Sequence, residues 1–171
     1  MNMTHAELGE SLAQLVWESF SDFIADHEVP DEGDGAAVMT TVPEVVPEEV
    51  LILFMWVHTR ACQQAFAGRA DPETLKSVLD AYHRALFEDL SGHVLPEAQL
   101  PLFEQRVSAR YTEYYEAADD ATDRRVVEVA ARRVTRDAEA IGLISLELAE
   151  ATAAAAGPLR DYLEEVEVTA G

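Results

Sequence analysis

The eight residues at positions 50–57, VLILFMWV, decide the fold class of this chain. They follow Pro47, Glu48 and Glu49, which suit the first turn of a helix, because the missing N–H costs nothing there and the helix dipole favours negative charge. An apolar run of this length covers every side of the helix that contains it. We therefore expect a central helix, surrounded by others, that ends near Gly68.

Start and stop signals outward from this segment predict further helices. Thr4 and Glu7 form a capping-box pattern ahead of a first helix over about residues 5–25. Asp71 and Pro72 are typical of a helix N-cap and first position. The remaining predicted helices run from about 72 to 91, from 96–101 to 118, from 123 to 142, and from 143 onward, with a kink or stop at Gly157 and Pro158 and a short amphipathic tail after it.

Residues 26–46 interrupt the helical periodicity with prolines, glycines and acids, and predict a long acidic loop that is mobile or covers part of the molecule. No stretch alternates convincingly with the period of a β-strand. We therefore predict one helical domain over residues 1–171, an all-α bundle of five or six helices with the apolar second helix at its centre.

The formal net charge is −21, from 33 acids and 12 bases, and it is unevenly distributed. Residues 1–59 contain no Lys or Arg, whereas the middle of the chain, residues 60–136, is nearly neutral and rich in Arg. Nucleic acid and anionic membranes both require a basic surface, so the charge argues against these partners. An acid excess also suits a high-salt cytoplasm, where screening weakens the repulsion between like charges.

The single cysteine, Cys62, excludes an intrachain disulfide. The N-terminal sequence lacks the basic start and apolar stretch of a secretory signal, and the longest apolar run is far shorter than the ~20 residues of a membrane span. These features predict a cytoplasmic protein.

A metal site is one hypothesis for the Arg-rich middle. His58 and Cys62 lie one turn apart on the second predicted helix, and Asp80 and His83 lie one turn apart on the third. Two adjacent helices that present these four side chains would supply a tetrahedral set of ligands. The pattern lacks the Glu-x-x-His pairs of di-iron bundles, and the alternative is that these residues pack in the interior. No cofactor is otherwise indicated.

A ligand pocket between the second, third and fourth helices is the other hypothesis. Its residues would be Arg60, Arg84, Arg106, Arg110 and Tyr111, since arginines bind anionic groups through paired hydrogen bonds and a tyrosine would close the pocket. The alternative is that the arginines form ion pairs with the many carboxylates. A carboxylate within reach of Arg106 and Arg110 would favour that alternative.

The fifth predicted helix is locally basic, and its arginines could match the acidic N-terminal block within one chain or between two chains. No phosphate-binding loop, nucleophile elbow or dinucleotide fingerprint occurs, which argues against an enzyme. The sequence therefore favours a non-enzymatic module that binds a protein partner or self-associates as a homodimer or larger homo-oligomer, with a ligand- or metal-binding bundle as the alternative.

Overall fold

The described residues of the chain, 1–27, 44–118 and 123–169 in a computed structural model, form six α-helices. This arrangement confirms the predicted single-domain all-α bundle. The elements in chain order are β1 (Asn2–Thr4), α1 (His5–Ala25), α2 (Pro47–Phe66), α3 (Pro72–His93), a 3₁₀ turn (Glu97–Gln99), α4 (Leu100–Ala117), α5 (Arg124–Val134), α6 (Ile141–Glu164) and β2 (Glu167–Thr169).

Helix α2 is the centre of the bundle, as its apolar run predicts. Every residue from 50 to 59 is buried, and α2 packs against α1, α4, α5 and α6. Helix α1 lies against α3 on one side of it, and α5 lies against α6 on the other. Two faces of α2 therefore border clefts formed with its neighbours.

The predicted starts of α1, α2 and α3 are confirmed at atomic detail. Thr4 Oγ1 accepts a hydrogen bond from the Glu7 backbone N–H at 3.3 Å, and Glu7 Oε2 accepts one from the Thr4 backbone N–H at 2.8 Å. Asp71 accepts hydrogen bonds from the N–H groups of Glu73 and Thr74, and Pro47 and Pro72 each lie at the first helical position. These local patterns place the ends of α1, α2 and α3.

The predicted end of the fifth helix is wrong, and of the kink or stop predicted at Gly157 and Pro158 the stop does not occur. Helix α5 ends at Val134 because the backbone of Thr135 is extended and pairs with Val45 in an isolated antiparallel bridge. Helix α6 does not stop at Pro158 but continues to Glu164. A proline removes one hydrogen bond, and the burial of Leu159 and Leu163 beyond it offsets that loss.

The first and last described residues form a short parallel pair of strands. Each strand has three residues, which are too few for an alternating pattern to be recognised in the sequence. Strand β1 pairs with β2, with Asn2 opposite Glu167. Arg69, after α2, donates hydrogen bonds to the carbonyls of Leu163, Glu164 and Val166 and so holds the end of α6. No helix in the described part of the chain has the length and apolarity needed to cross a membrane.

Most of the predicted acidic loop, residues 28–43, lies outside the described residues. Its last residues are fixed, since the backbone N–H of Val46 donates to the carbonyl of Val134 at 2.7 Å. The chain therefore enters α2 directly beside the end of α5.

Candidate functional site

The arginines of α4 are paired with carboxylates of α2. Arg110 donates from Nε and Nη2 to the two carboxylate oxygens of Glu49, at 2.8 and 2.9 Å, and from Nη1 to Glu113 at 3.1 Å. The hydrogen bonds with Glu49 raise the pKa of the Arg110 guanidinium. Arg106 forms an ion pair with Glu48. These contacts fix α4 to the start of α2 and leave neither arginine available as an anion site between helices 2, 3 and 4.

Tyr111 and His83 do meet, but in an internal polar chain. His83 Nδ1–H donates to the carbonyl of Leu79 at 2.8 Å, so Nε2 accepts from the Tyr111 hydroxyl at 2.9 Å. The Tyr111 hydroxyl also lies 3.2 Å from Thr59 Oγ1. Burial lowers the pKa of His83 and raises that of Tyr111, so both are neutral near pH 7. This series of polar contacts links α3, α4 and α2.

The four residues of the metal hypothesis are not assembled into a site. Asp80 is exposed and pairs with Lys76 at 2.6 Å, while His83 is engaged with Tyr111. Cys62 is fully buried, and burial raises the pKa of its thiol to about 12. Across residues 1–27, 44–118 and 123–169, no three side chains of the His, Cys, Asp or Glu types are grouped to hold a metal ion.

The two remaining members of the predicted pocket lie on different sides of the bundle. Arg84 is exposed and borders a shallow cleft of α3 and α4 together with the acids Asp80, Glu88 and Glu104. An anion would be repelled there by the surplus of carboxylates. Arg60 instead lines a groove that α2 forms with α5 and α6.

We name this groove the arginine cleft. It is a groove of about 370 Å³ between α2, α5 and α6. Its charged and polar lining residues are Arg60, Gln64, Asp123, Arg124, Thr152 and Arg160, and its apolar lining residues include Leu53, Trp56, Val57, Val127, Ala153 and Ala156. Three of the chain's twelve bases thus line one groove with a single acid among the described residues, although acids outnumber bases almost threefold overall.

Two residues of the arginine cleft carry buried donors without a partner in the described structure. These are Nε1 of Trp56 and Nε of Arg60. A buried N–H that has lost water and gained no acceptor costs about 1–3 kcal/mol. Among the described residues, the only other buried side-chain nitrogen or oxygen without a hydrogen-bond partner is the hydroxyl oxygen of Tyr114. The ring of Tyr114 packs edge-on against that of Trp56, with ring centroids 5.9 Å apart.

The start of α5, which borders the arginine cleft, carries more positive than negative charge among the described residues. Arg124 and Arg125 occupy its first turn, no acid does, and Asp123 makes no side-chain cap hydrogen bond. Positive side chains are unfavourable beside the positive end of a helix dipole. Arg124 reaches Glu128 at 3.5 Å, but its side chain is 84% exposed, so this pair is weak. An anion bound at this end would offset both charges.

Sequence reasoning selected Arg60 but missed its partners Arg124 and Arg160. The available signal was the pair of arginines, Arg124 and Arg125, in the first turn of a helix. Arg160 had no local signal, because it joins the groove only through the packing of α6 on α2. The chain matches no protein-family model, no curated protein and no solved structure, so the geometry of the arginine cleft is the basis for a function.

Proposed function

We propose that the protein binds a small organic anion in the arginine cleft. The observation that carries the proposal is that three arginines, Arg60, Arg124 and Arg160, line one groove with a single acid among the described residues, so that guanidinium N–H donors outnumber carboxylates there. The acceptor oxygens of a carboxylate or phosphate ester would satisfy donors of this kind.

Charge supports an anion rather than a neutral ligand. Arg60, Arg124 and Arg160 add three positive charges to a groove whose lining includes one carboxylate, Asp123. The positive end of the α5 dipole adds to this field. Because the whole molecule repels anions at a distance, a groove of opposite sign favours a specific ligand over nonspecific adsorption.

Size and lining support an organic body on that anion. A volume of about 370 Å³ lies at the lower end of the range of small-molecule sites. Most of the lining is apolar and includes Val57, Val127 and Ala153, against which hydrocarbon would lose contact with water. The proposed role is binding without a reaction step.

The test uses Trp56 as the reporter. The chain has two tryptophans, so Trp17→Phe leaves Trp56 fluorescence alone as the signal. In this background we would titrate hexanoate and phenyl phosphate, with hexanol and phenol as neutral probes. We expect saturable changes with the anions and at least about tenfold weaker binding after Arg60→Gln, because a charge-assisted hydrogen bond contributes more than 1.4 kcal/mol.

Arg132→Gln combined with Arg136→Gln is the matched control, since both arginines are exposed and lie outside the arginine cleft. This pair removes more charge than Arg60→Gln, yet we expect it to change anion affinity less than twofold. Equal weakening by the control pair, or equal binding of hexanol and hexanoate, would refute the proposal.

Self-association is the second candidate function, and two surfaces of opposite charge favour it. Arg132 and Arg136 are exposed at the end of α5, whereas α1 and α3 form a cleft whose described lining residues include five acids and no base. Two copies would bring these surfaces together. Sedimentation velocity at low salt should show dissociation after Arg132→Glu with Arg136→Glu; an unchanged sedimentation profile would exclude this mode of association.

A further inference from the structure

A second groove lies between α1, α2 and α6, with a lining of opposite character to the arginine cleft. We name it the His58 cleft. It has a volume of about 500 Å³, and none of the described residues that line it is Lys or Arg. The residues that matter to its chemistry are Glu18, Asp22, His58, Ala154 and Pro158.

His58 contributes a buried acceptor. Its residue is 1% exposed, and its Nδ1 lies 2.8 Å from the carbonyl of Phe54 on the same helix. A carbonyl only accepts hydrogen bonds, so Nδ1 carries the proton and the lone pair of the neutral ring is on Nε2. Nε2 is on the ring edge turned away from the α2 backbone, and His58 makes no other hydrogen bond among the described residues.

The neutral form of this ring is favoured by its surroundings. Burial lowers the pKa of His58 to about 4. Near pH 7 the neutral imidazole therefore offers a hydrogen-bond acceptor to the His58 cleft, and it carries no positive charge that would repel a cationic ligand.

The proline inside α6 contributes another acceptor. Pro158 has no N–H, so the carbonyl of Ala154 lacks the hydrogen bond that residue i+4 of a helix normally donates. Ala154 and Pro158 both line the His58 cleft. The helix interruption and the buried imidazole are thus independent features of one groove.

Two carboxylates of α1 complete the set. Glu18 and Asp22 are one helical turn apart, exposed, and both line the His58 cleft. One oxygen of Glu18 accepts from Gln14 Nε2 at 3.0 Å, which leaves its other oxygen available. Carboxylates, a carbonyl and an unprotonated imidazole all accept hydrogen bonds, and the carboxylates attract positive charge.

We propose that the His58 cleft binds a primary ammonium group carried on a short organic body. An ammonium has three donors and no acceptor, which matches a lining rich in acceptors and free of bases. The apolar side chains of Leu15 and Leu159 in the same lining would contact the carbon chain. The site is separate from the arginine cleft and independent of the function proposed for it.

The experiment follows the His58 ring by nuclear magnetic resonance in 150 mM NaCl, which screens attraction between exposed charges beyond about 8 Å. The probe is 1,4-diaminobutane; 1,4-butanediol tests the need for charge, and tetramethylammonium tests the need for N–H donors. We expect the diamine to shift the His58 ring signals saturably and the other two probes to leave them unmoved.

Variants separate a built site from general attraction to an acidic protein. Glu18→Gln with Asp22→Asn should weaken diamine binding at least tenfold. Glu104→Gln with Glu116→Gln, on exposed positions of α4, removes the same charge and should change it less than twofold. Unmoved His58 signals, an equal response to tetramethylammonium, or equal weakening by the two double variants would each overturn the proposal. Loss of anion binding in the arginine cleft would not affect it.

Discussion

At the scale of single residues, burial decides the chemistry of the histidines. His58 and His83 each donate from Nδ1 to a carbonyl one turn back on their own helix. This shared geometry fixes the tautomer and leaves Nε2 as an acceptor in both. The difference is the partner: Nε2 of His83 accepts from Tyr111, whereas His58 lines a groove and its Nε2 has no hydrogen-bond partner among the described residues. The same residue type thus serves packing at one position and a candidate site at the other.

Burial of His58 predicts a loss of stability in acid. The unfolded chain takes up a proton near pH 6.5 but the folded chain only near 4, so the folded state loses stability as pH falls between these values. The loss attributable to His58 between pH 8 and pH 5 is about 2 kcal/mol. Urea unfolding of the wild type and His58→Gln at both pH values measures it. We expect a smaller pH effect in the variant; identical pH effects would contradict the assignment.

At the scale of elements, local signals predicted helix starts well and some helix ends poorly. Caps such as Thr4 and Asp71 act within one turn, so the sequence alone identifies them. The end of α5 depends on Thr135 pairing with Val45, a residue 90 positions earlier. The continuation of α6 beyond Pro158 likewise depends on burial against other helices. Contacts between distant segments override local preference at both places.

The contact between α1 and α3 predicts an unusual effect of a glycine substitution. A Cβ atom added at Gly9 would lie 2.7 Å from both Ala81 Cβ and the backbone nitrogen of Tyr82. Gly9→Ala therefore forces the two helix backbones apart, and we expect a net destabilisation of about 1–3 kcal/mol despite the higher helix propensity of alanine. Gly142→Ala, with open space around it, is the control and should be neutral or stabilising. Equal denaturation midpoints for both variants would show that the helices accommodate the methyl group.

At the scale of the whole molecule, the candidate sites arise from packing that no short segment encodes. The sequence directed attention to the Arg-rich middle and to Arg60, but it placed the pocket beside α3 and α4. There, Glu48 and Glu49 neutralise the arginines instead. The arginine cleft needs the packing of α6 on α2, which places Arg160 and Arg60 in the lining of one groove although they are 100 positions apart in the chain. Long-range helix packing is the information that the sequence patterns lack.

The net charge is a property of the whole molecule that opposes the stability of the fold. The net charge is −21, and most acids of the described residues have no basic partner within ion-pair distance. Exposed acids gather where α1 meets α3, at Glu10, Glu18, Asp22, Glu88 and Asp89. Repulsion among them opposes folding, and dissolved salt weakens it.

We therefore expect the melting temperature to rise steeply between 10 mM and a few tenths molar NaCl, where the screening length falls from about 30 Å to below 8 Å. Stabilisation by exclusion of salt from the surface instead continues to grow up to molar concentrations, so the shape of the curve separates the two causes. A variant with Glu10→Gln, Glu18→Gln and Glu88→Gln should be more stable at low salt and respond less. Calorimetry over this range of salt concentration measures the melting temperatures of the wild type and the variant. A melting temperature of the wild type that does not change with salt would exclude both self-repulsion and adaptation to high salt.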